Sequence, residues 1–561
     1  MFTMKSIFVS LIVFVMNCNG MWAQTISSTA EVDELKSIMA SQQKTLEHQQ
    51  ARIEALEKAL AEQKAMLTNS PPLSVADSAS LVTASYNPTT VNSSVQTPQN
   101  PTTPADRQPL TPEQEKVEEE LQRGPEIADV TPDTPAVTLG PAKVRLIGYP
   151  ALTAVFRSTN EGGNVGTSFT SIPFDNTVAG NTSEFRISPQ STRLAIRVDA
   201  DLKKSKAAGY FEMDFGGTVP GNVAVTSSSY GFRIRQAWFD YSFGKFEITG
   251  GQLFSLMTPV KKDILPWPGD VLLTQVIDQN YVAGLVQGRY PQVRLVYHAS
   301  KAASFGFSAE NPEQQVGSGS ASGVSFPTGP ASTLNTQYNT GSNELQVPNM
   351  MPDFVLKGSF DGKPGGHEVH LDVGTVFRAF RNYAPLSGNG VNEKNYAGGF
   401  GANANFTVDL VKNVRLVLQG FYGNGAGRYI GGLVPDVIVR ADGSIVPIPA
   451  YSWVSGFEFA PNKTTGLYAY YSGLYGERKT AVDTDGSLIG WGYPGASNAA
   501  DRLVEEFSTG YSRVLWKYEN LGSVQFGVQY SYLWLYPWSA GSGPGQAHTH
   551  MLFSQLRYNL P

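Results

Sequence analysis

Cysteine is almost absent: Cys18 is the single one in 561 residues. It lies in an N-terminal stretch where Lys5 precedes an apolar run from Ile7 to Met16, broken only by Ser10 and followed by "NGMWAQ". That layout predicts a secretory signal over 1–23, cleaved after Gly20 or Ala23, with an apolar run too short for a good membrane span. The context "VMNC" is a poor lipoprotein box. Removal of the signal leaves no cysteine, so the mature chain needs no disulfide and has none to misform in an oxidising compartment. Long apolar runs are missing too. Beyond the signal nothing approaches the roughly 18 consecutive apolar residues of a spanning helix, which excludes a helical membrane protein. A barrel stays open, because its strands show only alternate apolar positions. Basic tracts and aromatic RNA motifs are also lacking. Residues 24–142 carry 17 acidic and 8 basic side chains, and residues 143–561 carry 31 and 33. An acidic first half would be repelled by a phosphate backbone, so no nucleic-acid partner is expected.

Catalytic signals are poor. In "HEVH" (367–370) the two histidines are three apart, which on a strand puts them on opposite faces. His548 and His550 share a face but lack a third ligand, so no metal or other cofactor is expected. "GASNA" (495–499) lacks the final glycine of a nucleophile elbow, and "DTDG" (483–486) reads as a turn. The chain is not expected to be an enzyme; an outer-membrane lipase is the enzymatic alternative.

Three regions remain. Val32, Met39, Leu46, Ile53, Leu60 and Leu67 recur every seven residues, with Leu35 and Leu56 on the adjoining seam. This heptad pattern predicts a coiled coil within 28–70 that drives homo-oligomerisation. Gln42, Gln49 and Gln63 on the second seam give up stability for a defined register. Residues 71–142 are rich in Pro, Ser, Thr and Asn and read as a disordered linker. One short helix, 112–123, interrupts it: Thr111 caps, Pro112 starts, Gln114 completes a capping box and Gly124 stops.

Residues 143–561 are rich in glycine and aromatics and hold no convincing helix. Alternating segments begin near residues 144, 184, 207, 230, 245, 281, 303, 353, 367, 396, 413, 452, 465, 502, 521 and 550. This predicts an all-β class: a transmembrane antiparallel β-barrel of about sixteen strands, with short turns alternating with long loops. Aromatics cluster at strand ends in "QAWFDYSFGKF", "GLYAYYSGLYG" and "YSYLWLYPW". Such rings sit at headgroup level in a bilayer, so the apolar parity is expected to face outer-membrane lipid.

The other parity then faces a lumen. In "RLAIRVD", Leu194, Ile196 and Val198 face out, leaving Arg193, Arg197 and Asp199 inside with Arg186 nearby. By the same rule Glu212 and Asp214 face in opposite Phe211, Met213 and Phe215. Arg233 and Arg235 face in opposite Phe232, Ile234 and Trp238. Arg294 faces in opposite Val293 and Leu295, with Arg289 close by; Lys357 and Arg378 follow on later strands. Guanidiniums lining a narrow lumen select and concentrate anions. The plainer alternative is that these charges pair across strands and stiffen the wall. The connection 256–280 is compatible with folding inward to narrow a pore and equally with packing on the rim.

The runs "SPQSTR" (188–193), "EMDF" (212–215), "RIRQA" (233–237), "GQ" (251–252), "RYPQVR" (289–294) and "GNGAGRY" (423–429) resemble the DcaP-like porin family, in this order over nearly the whole chain. The resemblance implies a trimeric sixteen-stranded outer-membrane barrel behind a periplasmic coiled coil, taking up dicarboxylates and similar anions. The chain ends "LRYNLP" rather than in the terminal Phe common among such barrels. The expected function is therefore an outer-membrane porin with an arginine-lined, anion-preferring channel for small solutes. The alternative is a coiled-coil adhesin or peptidoglycan tether anchored by a barrel; conductance in planar bilayers separates the two.

Overall fold

A computed structural model describes residues 135–217, 230–316, 334–340, 347–385, 392–494, 499–518, 521–539 and 543–561. The strands in chain order begin with β1 (Val137–Leu139), β2 (Ala142–Tyr149), β3 (Ala151–Arg157), β4 (Glu184–Ser188), β5 (Arg193–Leu202), β6 (Ser205–Asp214) and β7 (Arg233–Phe243). They continue with β8 (Phe246–Phe254), β9 (Arg289–Ser300), β10 (Ala303–Glu310), β11 (Asp353–Gly362), β12 (Val369–Pro385), β13 (Asn392–Val411) and β14 (Val414–Asn424). The last are β15 (Val437–Val439), β16 (Ile445–Pro447), β17 (Pro449–Asn462), β18 (Thr465–Gly476), β19 (Lys479–Val482), β20 (Leu488–Trp491), β21 (Asp501–Tyr518), β22 (Gly522–Pro537) and β23 (Ala547–Asn559). One sheet of 19 strands contains all but β15–β16 and β19–β20, which form two separate ribbons. Every ladder in the sheet is antiparallel, joining strands mostly in chain order.

The expected closed barrel of about sixteen strands behind a coiled coil is corrected on two counts. The ladders form one open path, from β1 through β2, β5 and the later strands to β23, β3 and β4, not a ring. The path ends where the chain breaks its own ladders. Pro150 has no N–H to donate and separates β2 from β3, and the turn in which Thr192 N donates to Pro189 O (2.9 Å) separates β4 from β5. Across the first break, Leu560 N donates to Gly148 O (2.9 Å) and Tyr558 N to Pro150 O (3.1 Å). Secondly, among the described residues there is no α-helix, only short 3-10 turns, and no helix is long and apolar enough to cross a membrane. The coiled-coil positions Val32 to Leu67 and the helix expected at 112–123 lie outside the described residues. β1 falls within the stretch expected to be linker.

The two faces of the sheet differ sharply. Large apolar side chains crowd one face, among them Phe185 (66% exposed), Phe239 (63%) and Val293 (61%). The other parity buries charged and amide side chains completely: Arg157, Glu310, Asp372, Asn405, Glu506 and Gln529 are at 0% exposure. Period-two alternation in sequence produces both faces at once.

Residues 255–288, between β8 and β9, lie against the polar face. Glu310 of β10 accepts Ser255 Oγ (3.0 Å) and Leu256 N (3.0 Å), and Lys357 of β11 donates to Thr258 O (2.8 Å). Asp372 of β12 accepts Val260 N (3.2 Å), while Asn403 and Asn405 of β13 donate to Met257 O (2.7 Å) and Val260 O (3.0 Å). Gln419 of β14, Glu506 of β21 and Gln529 of β22 accept the amides of Val286 (3.2 Å), Ala283 (2.8 Å) and Ile277 (2.7 Å). A segment without a long ladder of its own thus has buried backbone groups satisfied by the walls, and the sheet curls round it. Gly284 passes β18 so closely, at φ +82°, that a Cβ would stand 2.1 Å from Gly473 O.

Candidate permeation site

The site begins with a register row. Tyr149 of β2 lies opposite Arg193 of β5, Arg193 opposite Asp214 of β6, and Asp214 opposite Arg233 of β7. Directly opposed residues on one face are neighbours, and in this row the ion pair forms between Asp214 and Arg233. Arg233 donates to Asp214 through Nε (3.0 Å) and Nη2 (2.7 Å). Arg235 donates to Asp214 through Nη1 (2.8 Å) and to Glu212 through Nε (2.5 Å), and Tyr210 Oη donates to Glu212 (2.8 Å). Two guanidiniums and two carboxylates form a neutral, almost dry network; only Arg233 keeps a substantially exposed side chain, at 41%. For Arg233 and Arg235 the plainer reading, charges paired across strands, describes the geometry.

One expectation here is overturned. The β6–β7 register slips between Glu212 and Met213, so Arg235 is an extra residue without its own partner across the ladder. This bulge inverts the parity that follows. Trp238 therefore faces inward at 6% exposure, stacked 5.4 Å from Tyr210 and 4.8 Å from Trp267 of the inserted segment.

Four guanidiniums flank this network without a carboxylate in salt-bridge range among the described residues. Arg193 Cζ stands 5.9 Å over the Tyr149 ring, and Arg557 of β23, also 4.9 Å from that ring, donates to Gln525 (2.9 Å). Arg289, at the start of β9, is 5.5 Å over the Phe254 ring, within electrostatic range of Arg235 and Arg233. Arg294 donates to Phe254 O (2.6 Å) and Gln292 (3.3 Å), and its buried Nε has no partner among the described residues. The other expected residues join separate sets. Arg186 pairs with Glu184 (3.0 Å), and Arg197 with Asp199 (2.9 Å) beneath a stack 3.6 Å over Trp267. Lys357 reaches Asp372 (3.3 Å), and Arg378 bridges Asp353 (3.0 Å) and Asp436 (2.8 Å).

Sequence reasoning missed Arg145, Arg157, Arg428 and Arg557. Arg145 contacts Asp199 (2.7 Å), and Arg157 contacts Glu184 (2.8 Å). Alternation against exposed Leu146, Phe156 and Leu556 carried the signal for Arg145, Arg157 and Arg557. Arg428 had no such signal. It lies in a 3-10 turn, 3.2 Å from Asp353 and stacked 3.8 Å over Tyr290. Among the described residues no group of three or more His, Cys, Asp or Glu is placed to hold a metal ion.

No protein-family profile matches the chain, and neither does any curated protein. Solved structures do match. The outer membrane channel DcaP of Acinetobacter baumannii superposes with a TM-score of 0.54 at 15% identity, over 75% of this chain and 99% of that one. An anion-selective porin from Comamonas acidovorans gives 0.41 at 11% identity, over 75% of this chain and 100% of that one. OmpT of Vibrio cholerae gives 0.40 at 10% identity, over 76% and 100%. The first establishes a shared fold with an outer-membrane channel.

Proposed function

We propose that the protein is an outer-membrane porin, a transport protein that lets small solutes diffuse through the polar interior of its sheet. The observation that carries this reading is the division of faces: an apolar exterior around an interior of buried arginines, acids and amides. An exposed belt of Phe, Leu, Ile and Val is costly in water and favourable in lipid, whereas the opposite face needs water or partners. The fold shared with an outer-membrane channel supports it. Residues 255–288, seated on the polar face, narrow the path.

The channel prefers anions, small dicarboxylates among them, because guanidinium charge near the path is incompletely neutralised. Arg193, Arg289, Arg294 and Arg557 supply that surplus, whereas Arg233 and Arg235 hold the wall through Glu212 and Asp214. The working form is a homotrimer, with residues 28–70 on the periplasmic side and free to meet peptidoglycan. The experiment is reconstitution in planar bilayers across a salt gradient. An anion-selective reversal potential is expected; absence of conductance from a folded, heat-modifiable protein overturns the reading.

A further inference from the structure

Where the inserted segment meets the sheet at residues 276–283, acids outnumber bases. Arg157 of β3 is fully buried and faces three carboxylates, Glu184 of β4, Glu161 of the 158–183 connection and Asp278 of the segment, and Glu506 of β21 lies within electrostatic range of Asp278 and Glu161. Tyr468 of β18 completes the surroundings, donating to Gln529, and Arg186 joins only through Glu184. Arg157 is 2.8 Å from Glu184 and 3.5 Å from Glu161. Asp278 Oδ1 accepts the amides of Thr167 (3.1 Å) and Asn280 (2.8 Å), and Glu506 accepts that of Ala283 (2.8 Å). Yet Glu161 Oε1, Asp278 Oδ2 and Glu506 Oε1 are buried with no hydrogen-bond partner among the described residues. With Glu184 also held by Arg186, ionising the other three carboxylates would still strand negative charge that Arg157 cannot balance, where water does not reach.

We infer that this contact is a proton-held clamp: protons shared among Glu161, Asp278 and Glu506 seat residues 276–283 on the sheet, and their withdrawal releases the segment. The arrangement sets the sign. Burial pushes the Glu161 carboxyl up from 4.5 to about 7, and burial raises Asp278 as well. The seated state binds more protons than the released state, so seating is strongest in acid and is lost as pH rises through that window. For Glu161 alone, release grows about tenfold per pH unit between 4.5 and about 7, then levels off. In the channel reading, release widens the path.

Hydrogen exchange of the amides of Ile277 and Ala283 in the detergent-solubilised full chain, corrected for the intrinsic pH effect on exchange, tests this. Opening should rise from roughly pH 5 to roughly pH 7 in the wild type. It should stay flat in the triple variant Glu161→Gln, Asp278→Asn and Glu506→Gln, which keeps size and acceptors but holds no titratable proton, and be shallower in the double variant Glu161→Gln with Glu506→Gln. Should the double variant not fold, Glu161→Gln alone must lower the slope. A wild-type opening that ignores pH, or a variant with the wild-type slope, overturns the clamp. Conductance over the same range should rise with opening. Protein whose exchange follows pH but which never conducts supports the clamp and removes the channel reading instead.

Discussion

Replacing Arg193 and Arg289 together by Gln should cost the channel much of its anion preference. These two cations have no carboxylate in salt-bridge range among the described residues, and Glu212, within electrostatic range of both, is already held by Arg235, so their field is only partly cancelled. An anion passing where the Tyr149 ring lies would be 5.9 Å from Arg193 Cζ. At the dielectric constant of water that is worth about 0.7 kcal/mol per charge, and about 0.4 after screening over a ~10 Å Debye length in 0.1 M salt. Two such charges give about 0.8 kcal/mol, which lowers anion occupancy roughly fourfold and raises cation occupancy by the same factor. The anion-to-cation permeability ratio should therefore fall by roughly an order of magnitude. The assay is the reversal potential across a salt gradient in planar bilayers. At about 1 M salt, with a Debye length of ~3 Å, the difference from wild type should nearly vanish. An unchanged reversal potential at low salt, in protein that remains heat-modifiable, refutes the reasoning.

Arg235→Leu strands Glu212 in a nearly dry site, leaving Asp214 to Arg233, and should destabilise the fold by about 3–5 kcal/mol, seen as a lower midpoint of heat modification. A midpoint equal to that of the wild type would mean that Glu212 finds another partner. Gly284→Ala drives a methyl into Gly473 O, 2.1 Å away, at a φ that disfavours side chains. It should dislodge the inserted segment and raise single-channel conductance, whereas an unaltered conductance counts against that segment narrowing the path. An isolated 28–70 peptide should self-associate, as a trimer, in sedimentation equilibrium. A monomer at high concentration would leave oligomerisation to the sheet.

Alternation is a local property, and it carried the strands far. Starts read at 184, 303, 353 and 465 coincide with β4, β10, β11 and β18, because each strand advertises its own two faces. The start read near 281 fell eight residues ahead of β9, because 281–288 is apolar for a different reason: it packs inside. Which arginines share a parity with Glu212 and Asp214 was read in the same way; that Arg193 lies opposite Asp214 came only with the structure.

What the arginines do was not legible. Arg233 and Arg193 present the same pattern in sequence, yet one is held by Asp214 through two hydrogen bonds and the other stands over the Tyr149 ring without an ion pair among the described residues. Register between strands decides such pairing, and register is a long-range property. One extra residue at Arg235 reversed the faces beyond it and brought Trp238 inside. The open path of ladders follows from where Pro150 divides β2 from β3 and the Pro189–Thr192 turn divides β4 from β5. Chemistry along the chain chose which side chains share the polar face; only the tertiary structure chose which of them neutralise one another, because charge balance belongs to neighbours in space.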